Sequence, residues 1–164
     1  MTRAWSASGE AATFDRLAPE PSDTVRLGRR FGRLSPDGAV ILLEGGLGVG
    51  KTTFAQGVAE GCGVPGPVSS PTYNLVLHHD GRRPLVHADL YRLAGPAELE
   101  TLDLEEIFAP AGLAVVEWPA LVVDHATPPC AVVALSRQDG GRRISGRLVG
   151  KGWSALREAL EAGA

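Results

Sequence analysis

The chain has 164 residues, 44% of them apolar, which is the size of one domain with a single buried core. A formal charge of −3 at pH 7 gives no basic field to neutralise a nucleic-acid backbone, so direct binding of DNA or RNA is not expected. Cys62 and Cys130 lie far apart without metal-ligand spacing, and no apolar run is long enough for a signal peptide or a transmembrane helix; the expected setting is the reduced cytoplasm, without membrane contact.

In chain order, residues 1–20 form an N-terminal segment, expected to be poorly ordered over 1–10 and to carry an edge strand at Thr13 to Leu17. A domain is expected over 21–164. SDTVRLGRRFGRL spaces Val25, Leu27, Phe31 and Leu34 helically, with Ser22 as the expected N-cap. AVILLE at 39–44 is a short continuous apolar run, the form of a strand buried on both faces of a parallel sheet. Residues 51–62 read as a helix, and VPGPVSSP breaks it. TYNLVLHH and RPLVHADLY, joined at Asp80-Gly81, predict an antiparallel hairpin. PAELETLDLEEIF has helical composition, LAVVEW at 113–118 reads as a second buried strand, and PALVVDHA opens with a proline where a helix can start. CAVVALSRQ and RRISGRLVG flank a turn as a second hairpin, and WSALREALEA closes as a helix with Trp153, Leu156 and Leu160 in one stripe.

The segment from Gly45 through Gly46, Leu47, Gly48, Val49, Gly50 and Lys51 to Thr52 satisfies G-x-x-x-x-G-K-S/T between an apolar strand and a helix, the context in which that motif cradles phosphates. Glycines let backbone N–H groups approach an anion because no Cβ intervenes, and the following helix N-terminus adds a favourable field. Lys51 is placed to bridge the β- and γ-phosphates and Thr52 to offer its hydroxyl to magnesium. Guanine-specific enzymes carry N/T-K-x-D, but the only other lysine is Lys151, in VGKGW; the expected nucleotide is ATP. Together the elements predict a three-layer α/β P-loop NTPase fold, a mixed sheet with a parallel centre and antiparallel hairpin additions.

Hydrolysis needs a carboxylate at the end of a strand beside the phosphate strand, and two positions qualify. Glu117 follows the apolar run of LAVVE, and Asp89 ends LVHAD. Either can hold magnesium, and either can position the water. His78 and His79 alternate to opposite faces near a turn, whereas His87 shares a face with Asp89 and is expected to orient that carboxylate.

After GGLGVGKTTF, the blocks SSPTYNLV at 69–76, HADLYRL at 87–93 and VEWP at 116–119 resemble, in this order, the TsaE family of bacterial tRNA threonylcarbamoyladenosine biosynthesis ATPases. The likeness is close over Ser22 to Pro119 and looser beyond. It implies an ATP-binding and ATP-hydrolysing protein that, with magnesium, supports turnover of the TsaD–TsaB heterodimer and is slow without those partners. It further implies that Lys51, Thr52 and Thr53 form the phosphate-loop set and that Ser70, Pro71 and Thr72 form a switch-like segment. Asp89 would be the essential aspartate, Glu117 a magnesium-holding glutamate, and Trp118 a neighbour of the nucleotide. Thr24 would lie beside the adenine. Three positions depart from the family pattern: Gly46 stands where an acidic residue is common, Val49 where a small alanine is, and Ala120 where Glu or Gln is frequent.

Two other functions share the loop. A small-molecule kinase would need an arginine-bearing lid, whereas the 93–113 segment is acidic. A nucleotide-dependent binding module without hydrolysis would not need both Asp89 and Glu117.

Overall fold

A computed structural model describes residues 11–69, 71 and 75–163. Seven strands form one mixed sheet in the order β1-β7-β6-β2-β5-β4-β3. β2 (Val40–Glu44), β4 (Leu85–Asp89), β5 (Leu113–Glu117) and β6 (Cys130–Gln138) run parallel at its centre. β3 (Val76–His79) is added antiparallel at one edge, and β7 (Gly141–Val149) and β1 (Ala11–Ala18) at the other. This is the predicted parallel centre with antiparallel additions. β5 is buried along its whole length, as a continuous apolar run between two covering layers requires.

Alternation divides the core between the two faces of the sheet. Ile41, Leu43, Leu85, Val115 and Val133 pack beneath α1 (Pro21–Leu34), α2 (Lys51–Gly61) and α4 (Ser154–Glu161), where Phe31 and Phe54 meet edge to face at 5.2 Å. Val40, Leu42, Val86, Ala114 and Val116 face the opposite way, toward Ile107 of α3 (Leu104–Phe108) and Val122.

α1 and α2 touch backbone to backbone. A Cβ on Gly32 would lie 2.1 Å from the Val58 carbonyl oxygen, and one on Gly57 would lie 2.3 Å from that of Val25. Only glycine permits this approach, so α1 and the helix behind the phosphate loop sit closer than side chains would allow.

Three local expectations are corrected. Ser22 is not the cap of α1: the helix starts at Pro21, whose fixed φ suits the first position, and the Glu20 backbone N–H donates to Asp23 Oδ2 at 2.9 Å. The helical stretch over 96–108 is broken into a 3-10 turn, Pro96–Thr101, and the short α3. Asp103 prefers to cap, accepting from the Glu106 N–H at 3.2 Å. PALVVDHA forms two 3-10 turns rather than an α-helix. Of TYNLVLHH, β3 takes in the last four residues; Leu75 before them has φ of +60°, and residues 72–74 lie outside those described.

Candidate functional site

The phosphate loop leaves β2 and enters α2 through glycines in conformations that side chains avoid, with φ of +72° at Gly48 and +108° at Gly50. Parallel pairing sets the carboxylates beside it. β5 is the neighbour of β2 with Leu43 opposite Glu117, and β4 is the neighbour of β5 with Asp89 opposite Glu117. Both acids therefore stand at the carboxyl ends of adjacent strands, next to the N-terminus of α2.

These elements enclose a cleft of about 430 Å³ lined by the loop at Leu47, Gly48, Gly50, Lys51, Thr52 and Thr53, and across from it by Asp89, Tyr91, Glu117 and Trp118. The Lys51 ammonium donates to the carbonyl oxygens of Gly45 and Gly46, each at 2.7 Å, and sits 4.0 Å from the centre of the Trp118 ring. Burial pushes the Lys51 pKa down, against the opposing pull of Glu117 and Asp89. The Thr52 hydroxyl donates to Glu117 Oε1 at 2.9 Å, and Asp89 Oδ1 accepts from the Tyr91 N–H at 3.0 Å. Lys51, Asp89 and Glu117 are all buried, so one cation and two carboxylates share a site largely screened from water. A larger cavity of about 840 Å³ lies between β1, β7 and α4, away from the phosphate loop and from these groups.

Not every residue singled out in the sequence lines the cleft. Val49 is buried, and its carbonyl accepts from Arg142 Nε at 3.1 Å. Thr24, on α1, is buried behind the loop; its Cγ2 lies 3.9 Å from where a Cβ on Gly50 would sit. Ser70 and Thr72 lie outside the described residues, and Pro71 is buried. Gly46 is exposed with room for a side chain, since an added Cβ would meet only Val49 Cγ1 at 4.0 Å; packing does not require its departure from the family pattern.

Two features escaped the sequence reading. Tyr91 packs against Trp118 with ring centres 4.9 Å apart and planes tilted by 46°, and its place two residues beyond Asp89 is the available signal. His87 was expected to orient Asp89; instead its Nε2 lies 2.7 Å from Glu117 Oε2. Sharing a face within one strand keeps His87 and Asp89 two residues apart, whereas the parallel register sets Val115 opposite His87 and brings Glu117 diagonally within reach.

The profile of the family described as threonylcarbamoyl adenosine biosynthesis protein TsaE matches residues 18–144. The chain is 36% identical over 142 residues to the tRNA threonylcarbamoyladenosine biosynthesis protein TsaE of Bacillus subtilis, covering 85% of this chain and 89% of that one. It is 37% identical over 147 residues to the protein of the same name from Streptomyces coelicolor, covering 84% and 98%. The crystal structure of Bacillus subtilis YdiB superposes with a TM-score of 0.72 at 28% identity, over 96% of this chain and 99% of that one. With a P-loop fold and a match over most of its length, the chain belongs to the TsaE family.

Proposed function

We propose that this cleft binds ATP with magnesium and hydrolyses it, and that the cycle serves a TsaD–TsaB heterodimer in threonylcarbamoyladenosine modification of tRNA. The observation that carries the reading is the contact between Thr52 Oγ1 and Glu117 Oε1 at the start of α2, with Asp89 on the adjoining strand and Lys51 beside them. The relatives' names supply the pathway.

Thr52, Glu117 and Asp89 offer oxygen donors only, a set that suits magnesium better than softer ions, and these residues would hold it. Held there, the ion would supply charge neutralisation on the phosphate oxygens. Lys51 exchanges the Gly45 and Gly46 carbonyls for β- and γ-phosphate oxygens, which its position at the base of the loop favours. Asp89, with one oxygen on the Tyr91 N–H, orients the attacking water. Tyr91 and Trp118 form an aromatic wall on one side, and the partner pair closes the other, excluding water and completing the catalytic arrangement.

The segment a kinase would use as a lid is engaged otherwise: Ile107 of α3 is buried against the sheet and Glu106 pairs with His78. Phosphate release measured with and without a purified TsaD–TsaB pair tests the proposal, together with capture of the pair in ATP and in ADP. Faster hydrolysis with the pair and stronger capture in ATP are expected. Unchanged hydrolysis together with nucleotide-independent capture overturns the role.

A further inference from the structure

His87 is a fully buried imidazole on β4, 1% exposed, and it contacts a carboxylate that is itself 2% exposed. Burying a polar ring stabilises a core only when its hydrogen-bonding atoms are satisfied, and an apolar side chain of similar volume would fill this place without that demand. Among the described residues Nδ1 of His87 has no hydrogen-bond partner. The ring therefore makes one polar contact there, from Nε2 to Glu117 Oε2 at 2.7 Å. The other carboxylate oxygen, Oε1, accepts from the Thr52 hydroxyl at 2.9 Å. Glu117 is thus held at both oxygens, by β4 on one side and by the first turn of α2 on the other.

We propose that His87 is a positioning residue that acts through Glu117: its Nε2–H fixes the plane of the carboxylate so that Oε1 stays at Thr52. The inference rests on the function proposed above, in which Thr52 and Glu117 are among the groups that hold magnesium. Without the imidazole, Oε2 is left buried and unsatisfied, and the plane of the carboxylate is no longer fixed with Oε1 at Thr52. Asp89, on the same face of β4, has its own anchor in the Tyr91 N–H and keeps its place. The loss therefore falls on the metal side of the site and leaves the phosphate loop intact.

The test compares His87→Leu with His87→Gln, whose terminal amide N–H reaches the position of Nε2. Readouts are kcat, the magnesium concentration for half-maximal hydrolysis, and calorimetric ATP affinity in magnesium and in EDTA. In His87→Leu, kcat should fall and the magnesium requirement should rise by about 10-fold or more, as for other groups that orient metal ligands. ATP affinity in EDTA should stay within about 2-fold, because the loop contacts survive. His87→Gln should recover both quantities to within about 3-fold of the parent. Should the leucine variant not fold, His87→Asn, too short to reach Oε2, gives the same comparison. Parental kcat and magnesium dependence in the leucine or asparagine variant overturns the inference, and so does a glutamine variant as impaired as the leucine one. The calorimetric difference between magnesium and EDTA decides the matter even if turnover is too slow to assay. A parent that binds no ATP in either condition overturns the proposed function, and this inference with it.

Discussion

Two strand pairs of the sheet each carry a side-chain contact across strands, one at the β1–β7 edge and one inside the sheet at β4–β5, and the contacts differ in kind. On the β1–β7 ribbon Asp15 and Arg143 meet with both side chains about half exposed. At β4–β5 His87 and Glu117 meet with both almost wholly removed from solvent. Water screens the first pair, so it can be lost with little consequence. The second sits where an unpaired charge is costly, and such an arrangement persists only where neighbouring groups hold it or where function uses it. One sheet thus separates a wing whose polar contacts are interchangeable from a strand end whose polar contacts are not.

The sharpest way to break that contrast is at Asp89. Asp89→Ala should lower kcat by about 1,000-fold, within the range for a positioned acid–base group, while ATP affinity changes less than about 3-fold. Parental turnover in a phosphate-release assay would reduce Asp89 to a strand-end residue. Lys51→Ala comes next: loss of a buried, hydrogen-bonded charge should weaken ATP binding by about 100-fold in magnesium by calorimetry. Its melting temperature should hold or rise, since burial already disfavours the ammonium.

A third effect belongs to neither contact. A methyl group on Gly32 must displace the Val58 carbonyl, so Gly32→Ala should cost about 1–3 kcal/mol and lower the melting temperature by about 3–10 °C, although alanine is the better helix former. A variant as stable as the parent would mean that α1 and α2 can separate freely.

The smallest effect belongs to the exposed wing. Arg143 holds Asp15 below its ordinary carboxylate value of 3.8 by hydrogen bonding and charge. Because the native value is depressed, the pair's contribution is present above that range and fades as pH falls through the native pKa. Arg143→Ala should therefore melt within about 2 °C of the parent at pH 7, and the gap should close in acid or in high salt. A gap that survives both would mean the ribbon depends on this pair.

Much of this molecule is legible in its residues, and unevenly so. The buried parallel strands declare themselves because two covering layers demand continuous apolar runs, as in VILLE and LAVVE. The phosphate loop declares itself because backbone approach to an anion restricts the residues that can serve. The contact of α1 with α2 is hidden, since Gly28, Gly32, Gly57 and Gly61 read locally as weaknesses in a helix and acquire meaning only when two backbones meet. The break at Asp103 is hidden in the same way, because leucine and glutamate on either side suit a helix. His87 was placed on the correct face but given the wrong carboxylate, because a diagonal partner depends on which strand lies alongside and in what register.

The pairing of β1 with β7 sets an order of assembly. Ala11 lies opposite Val149 and Ala18 opposite Arg142, so the first described strand finds its partner only after every other described strand has been synthesised. β2 likewise waits for β5 and β6. Such long-range pairings close slowly and keep strand edges uncovered while translation proceeds. In a nascent chain the phosphate loop is made early, yet the walls that give it a site arrive late, and until then its strand is an aggregation hazard that the cell must shelter.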